Sequence, residues 1–448
     1  MSRKMKKMKR KLLKVLKIIV IALVFILTLV LIEISIRNIN QNKMSEIKEE
    51  DVSIEEIVLE KLKKEDINKD FIKWVNKNYS NSLEKLNVLL DKSQYDKSMW
   101  HKATGYSYLV LNDLYNKKYD SMNNIKVLDA NKANSTVSIV GDVSLADNWY
   151  IMPQYDERGQ GVKGILSEDT LSILKKSDVT IVNSEFTVSN RGTPMAGKQY
   201  TFKANPERLS IYKEMGVDMV TLANNHVYDF GGEAFLDMLD EFDKIEMPRI
   251  GAGHNLEEAM TPYYYVLNGY KVAFLNATRA EKYLLTPGAT EDSPGVFRCY
   301  DPTNMINKIK SIREETDYIV TIIHYGTEGS HDLEEEQISS SHQYIDAGSD
   351  IVVGHHAHNL QGVEIYNDKP IIYNLGNFIF NADTVDTAIF ELIINEDGTL
   401  EYVMVPAIQH EEYTELLKGN DKQRVINDLN SWSINAIIDS EGIIKKNS

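Results

Sequence analysis

The chain has 448 residues and a formal net charge of −16, with a single cysteine, Cys299. That length exceeds one small core, so two or three structural units are expected. The acidic balance excludes nucleic acid as a partner, and the lone cysteine excludes an intrachain disulfide framework or a cysteine-based zinc site.

The first unit is not globular. Nine lysines and arginines precede residue 18 with no acid among them, which leaves −25 for the rest of the chain. Residues 18–32 are then apolar apart from Thr28. With residues 12–15 and 34–36 the stretch reaches the ~20 residues that span a bilayer. The basic flank puts its N-terminal side in the cytoplasm. A cleaved signal peptide would need a small-x-small site after the apolar run, and Glu33-Ile34-Ser35-Ile36-Arg37-Asn38 supplies none. Residues 1–40 are therefore expected to form a cytoplasmic tail and a transmembrane helix, an uncleaved anchor. The cytoplasmic membrane is then one partner, and the protein is single-pass with its C-terminal domain extracytoplasmic.

Residues 41–133 read as a helical stalk or small helical domain. Apolar residues recur there at helical spacing, as in Ile54, Ile57, Val58 and Leu62. From about residue 135 strands alternate with helices, which predicts an α/β fold with a largely parallel sheet. Strands are expected at 135–141, 179–184, 218–223, 248–252, 263–277, 317–324, 350–355 and 371–376. Helices are expected at 168–176, 206–215, 232–244, 304–315 and 334–347. Two further strands, 388–394 and 400–405, flank a hairpin turn at Glu396-Asp397-Gly398. The last segment, 410–448, reads as a helical tail.

Several apolar strands end in polar, metal-competent residues: Gly141-Asp142, Asn183-Ser184-Glu185, Asn224-Asn225-His226 with Asp229, His324, and His355-His356-Ala357-His358. Ligands collect in the crevice at the carboxyl ends of strands in open α/β sheets, so these ends suggest one shared site. Taken singly, Gly141-Asp142 also fits an ordinary turn and His324 a hydrogen-bonded core histidine. Together Asp142, Glu185, Asn225, His324, His356 and His358 mix hard oxygen and borderline nitrogen donors, which suits Mn²⁺, Fe²⁺ or Zn²⁺. Six donors are enough for two metals of the kind that activate a water and clamp a phosphoryl oxygen. His226, oriented by Asp229, is left to act as an acid toward the leaving group.

These motifs, with His324-Tyr325-Gly326-Thr327-Glu328 and Tyr373-Asn374-Leu375-Gly376-Asn377-Phe378, follow the order of the bacterial capsule synthesis protein CapA family, which the chain resembles over about 134–409. The family is tied to poly-γ-glutamate capsules and looks like a branch of the calcineurin-like metallophosphoesterases. The resemblance implies a four-layer α-β-β-α sandwich and one or two divalent metal ions. It implies metal binding by Asp142, Asn225, His324, His356 and His358, with Glu185 a looser match to the family's second-strand aspartate. Transition-state help would come from His226. Ser144 stands where the related phosphoesterases carry a histidine ligand, so one metal would be weakly held or absent. Glu328 is expected to fix His324 or a substrate amine, and His355 has no implied role. The expected function is synthesis, export or anchoring of poly-γ-glutamate or a similar anionic surface polymer, alongside other capsule-synthesis membrane proteins. An extracytoplasmic metal-dependent phosphodiesterase and a non-enzymatic polymer-binding scaffold are the alternatives.

Overall fold

The computed structural model describes residues 69–79, 97–128, 132–281 and 285–447. The expected anchor and much of the expected stalk lie outside the described residues. Among the described residues no helix is long and apolar enough to cross a membrane. All of them fall within one compact unit, Ile67–Ser448.

Two large sheets form the body. The first has the spatial order Ile125–Val127, Tyr263–Leu267, Tyr270–Thr278, Tyr318–Tyr325, Ile351–His356, Lys369–Ile372 and Val363–Tyr366. The strands from Tyr270–Thr278 to Lys369–Ile372 run parallel. The second has the order Tyr413–Leu416, Leu400–His410, Val385–Asn395, Asn134–Val143, Val179–Ser184, Met219–Thr221 and Arg249–Ile250. Its last four strands are parallel, and the others are added antiparallel. The fold is thus mixed α/β with more than one sheet.

Apolar side chains alternate along these strands and so feed two cores at once. Val137, Ile139 and Ile181 of the second sheet pack in one cluster with Val320, Ile322 and Val353 of the first, so the sheets meet face to face. On the far side of the second sheet, Val182 and Val220 pack with Leu171, Phe235 and Leu239 from helices Glu168–Lys176 and Gly231–Lys244. On the far side of the first, Ile319 and Ile323 pack with Met305, Ile309 and Tyr344 from helices Thr303–Ile312 and Glu335–Ala347. The layers run helix, sheet, sheet, helix.

The structure differs from the sequence expectation at several places. Residues 263–277, expected as one strand, form a hairpin that turns at Asn268-Gly269, both in the left-handed region (φ 48° and 79°). Residues 371–376, expected as one strand, leave the first sheet after Ile372, and Asn377–Ile379 then pairs with Asn134–Val143 in the second. In the expected helical tail only Gly419–Trp432 is helical; Tyr413–Leu416 extends the second sheet, and Ala436–Ile438 pairs with Ile444–Lys446.

Within the expected stalk, Ile125–Val127 pairs with Tyr263–Leu267, and helices Lys97–Thr104 and Tyr108–Tyr115 pack at the start of the first sheet's parallel strands. Ser107 N–H donates to Gly269 O at 2.8 Å and its hydroxyl to Asp317 Oδ2 at 2.6 Å. Buried Lys271 pairs with Asp113 at 2.7 Å.

Candidate metal centre

Register brings the polar strand ends level. In the first sheet Thr278 lies opposite His324, His324 opposite His355, and Tyr325 opposite His356. In the second, Asn377, Asp142, Asn183 and Thr221 form one row. Because the two sheets face each other, both rows end at the same edge. Asp142 reaches the inter-sheet side through a bulge. Ile139 and Asp142 pair with Ile181 and Asn183, so one extra residue sits on the first of these strands and its face is switched. Gly141 lies in that bulge, where a Cβ would come within 2.0 Å of Gly376 O. His356 and His358 sit at φ 94° and 59°, uncommon for side chains of this size. That left-handed turn directs both imidazoles into the same centre.

Glu185 is the shared donor. It forms one group with Asp142 and His324 and another with His356 and His358, each with ligand atoms within 4.8 Å of one another. Its Oε1 is buried without a hydrogen-bond partner, 3.4 Å from His324 Nε2 and 3.9 Å from His358 Nε2. Its pKa is driven well up, by burial first and then by the charge of Asp142. A fully buried carboxylate oxygen facing imidazole nitrogens fits a divalent cation. His356 Nδ1 is likewise buried and unpartnered. Burial, then the neighbouring His358, lowers the His356 pKa to about 3, which keeps the ring neutral with a lone pair for a metal. Burial also lowers His324, well below its ordinary value. Burial alone would raise Asp142, but its hydrogen bond to His358 and the charges of His358, His355 and His324 together hold it low. The same contact, 3.1 Å from His358 Nδ1, raises His358 against its burial.

Asn225 Oδ1 lies 2.8 Å from His324 Nε2, at the same edge. His226 Nδ1 lies 2.7 Å from Asp229 Oδ2, so a proton on Nδ1 leaves Nε2 for chemistry. Of the two roles expected of Glu328, the contact with His324 is not seen, and the role toward a substrate amine stays open. Glu328 stands 4.0 Å from His356 rather than against His324, and its side chain is 57% exposed at the mouth of the cleft. His355 turns away from the centre, its Nε2 2.8 Å from Val140 O of the other sheet. That bond ties the two sheets together directly beneath the ligands.

Comparisons with known proteins place the chain in a family. The profile of the bacterial capsule synthesis protein PGA_cap family matches residues 136–382, more than half of the chain. The chain belongs to that family. It is 31% identical over 299 residues to the PGA biosynthesis protein CapA of Bacillus subtilis (strain 168), covering 65% of this chain and 76% of that protein. It is 30% identical over 267 residues to the capsule biosynthesis protein CapA of Bacillus anthracis, covering 57% and 64%. A probable polyglutamine synthesis accessory protein of Mycobacterium tuberculosis (strain ATCC 25618 / H37Rv) is 24% identical over 221 residues, covering 47% and 58%.

All of the site residues discussed so far fall inside the PGA_cap match. So do two residues to which sequence reasoning gave no role. The Asn183 side-chain amide donates to Asp142 Oδ1 at 2.8 Å and to Glu185 Oε2 at 3.0 Å, and lies 3.3 Å from His324 Nδ1. Thr221 and Asn224 in turn donate to its Oδ1. One oriented amide therefore spaces three of the ligands. Lys198 Nζ pairs with Asp229 Oδ1 at 2.7 Å and Glu281 Oε1 at 3.0 Å, and donates to Asn225 O. It fixes the carboxylate behind His226. Asn183 stands in the strand-end pattern with no role of its own there; nothing in the sequence around Lys198 marks it. Both Lys198 and His226 line an open cleft of about 510 Å³ that leads out from the centre.

Proposed function

We propose that the chain acts in the synthesis, export or anchoring of poly-γ-glutamate or a similar anionic surface polymer, through metal-dependent hydrolysis or transfer at a phosphate ester or at the polymer's amide. The shared, unpartnered oxygen of Glu185 is the observation that carries the metal part of this reading. The names of the Bacillus relatives support the polymer context. The helix–sheet–sheet–helix layering supports a fold of the metallophosphoesterase type.

One or two ions of Mn²⁺, Fe²⁺ or Zn²⁺ would supply an activated water and charge compensation. Asp142, Glu185, His324, His356 and His358 would hold them, with Asn225 adding a neutral oxygen. Asn183 keeps the carboxylates apart at fixed distance. His226 holds a proton at Nε2 for the leaving group while Asp229 and Lys198 fix the ring from behind. Glu328, at the mouth, receives the substrate's polar end. Residues 1–40 anchor the chain in the cell membrane with this domain outside, beside other capsule-synthesis membrane proteins.

Elemental analysis of gently purified protein tests the reading, with one or two equivalents of transition metal expected. His356→Ala and His358→Ala lose that metal. His226→Ala keeps metal and fold while hydrolysis of a model phosphodiester falls about 10²–10⁴-fold, and Asp229→Asn falls less. Metal-free wild type refutes the centre. A wild type inactive with every metal, whose His226→Ala variant still supports polymer display, makes the protein a scaffold.

A further inference from the structure

A continuous run of rings leads out of the centre. His358 packs on Phe380 (centroids 4.5 Å apart), Phe380 on Phe202 (5.6 Å), Phe202 on Trp149 (4.7 Å), and Trp149 on Tyr150 and Tyr200 (4.7 and 5.7 Å). His226 rests on Phe202 as well, at 4.3 Å. Phe380 and Phe202 are buried and Trp149 is partly buried, while Tyr150 and Tyr200 are half exposed at the rim. One wall of the cleft is therefore aromatic from a metal-ligand candidate to solvent.

The rest of the described lining is mainly polar, with the amides of Gln199, Asn225 and Asn381 beside three acids. Glu281, Glu328 and Asp383 face the cleft, and Lys198 is the one cation among the described lining residues. Lys198 is already spent on Asp229 and Glu281. Away from the centre, a chain of repeated carboxylates would meet the like charge of Glu328 and Asp383, with no unpaired lysine or arginine among the described lining residues to receive it. Ionised carboxylates are acceptors only. Opposite an aromatic face they suit a group that is apolar on its flat side and carries hydroxyl donors at its edge.

We propose that this wall binds a glycosyl ring, an uncharged hydroxyl-bearing unit of the substrate adjoining the group cleaved at the centre. The proposal rests on the hydrolytic reading above for what happens next to that ring. It places the reaction at a junction between a sugar-bearing group and an anionic one, not within a run of glutamates.

The test uses the full-length, Mn²⁺-supplemented chain and three probes. Saturation-transfer NMR with methyl α-glucoside is expected to show contact in the wild type, reduced at least threefold in Trp149→Ala and in Tyr200→Ala with metal content retained. Calorimetry is expected to show glucose 1-phosphate binding about tenfold more tightly than inorganic phosphate, with that advantage lost in both variants; one ring contact is worth about a threefold to tenfold change. Tyr200 is half exposed, so its variant decides the matter if Trp149→Ala fails to fold. No transfer from the wild type, or equal transfer from the Tyr200→Ala variant, overturns the proposal. Displacement of the glucoside by a γ-glutamyl dipeptide at lower concentration also overturns it. Glucoside contact that persists where phosphate does not bind supports the wall and removes the hydrolytic reading instead.

Discussion

Glu185 holds a position that is costly without a cation. Its carboxylate is fully buried, the like charge of Asp142 acts on it most strongly of the neighbouring charges, and one of its oxygens has no donor. An unpaired buried charge costs several kcal/mol, and neutral replacements at such sites are often tolerated or stabilising. Glu185→Gln in metal-free protein is therefore expected to be no less stable than wild type, to within about 1 kcal/mol. The same variant should lose the stabilisation that added metal gives the wild type, since binding to the native state alone raises stability by mass action. Thermal denaturation with and without Mn²⁺ reads both effects. A variant that unfolds earlier without metal yet gains as much from Mn²⁺ would mean that Glu185 is structural. Asn183 offers a contrasting case. Asn183→Ala removes the donor common to Asp142 and Glu185 without removing a ligand. Losing such an outer contact typically weakens metal binding about 10–100-fold, which a chelator competition titration measures.

The bulge at Gly141 is where a backbone detail decides chemistry, because it turns Asp142 toward the second sheet's partner. Gly141→Ala sets a methyl against Gly376 O at 2.0 Å. That carbonyl belongs to backbone and cannot rotate away. A loss of about 3 kcal/mol in urea denaturation is expected, together with weakened metal binding as Asp142 shifts. Unchanged stability would mean that the crossover strand after Gly376 is free to move. Most of the centre is readable from the sequence for a related reason: each ligand closes an apolar strand, and strand ends are marked by composition. The bulge is not readable, since a Gly-Asp pair looks the same in a straight strand. The hairpin at Asn268-Gly269 carries the strongest short turn signal there is, yet residues 263–277 read as one strand. Both of its arms are almost wholly buried, so the alternation that would reveal the break is absent. Trp149, Tyr150, Lys198 and Tyr200 come from irregular segments between the strands. Their meeting over His226 depends on the fold and not on any local period.

The two sheets and the N-terminal helices form one body whose ends differ. Helices 97–115 are fastened to the start of the parallel strands by a buried pair, Lys271 with Asp113. Removing one partner of such a pair strands the other, so Lys271→Met is expected to cost about 3–5 kcal/mol, while Lys271→Met with Asp113→Leu recovers most of it. Urea midpoints of these two variants and of Asp113→Leu alone complete the cycle; additive losses would mean that the helices are held elsewhere. The catalytic candidates are untouched by these changes, because Thr278 and His324 lie at the other end of strands that begin at Tyr270 and Tyr318. Nine strand residues at about 3.3 Å each separate those ends by about 30 Å. The fastening point and the opening of the cleft therefore lie on opposite faces. Coupled to a bead or a sensor chip through these helices, for instance at exposed Lys102, the described domain would show its reactive face to the flowing solution with no engineered spacer, and a bulky substrate could approach without meeting the support.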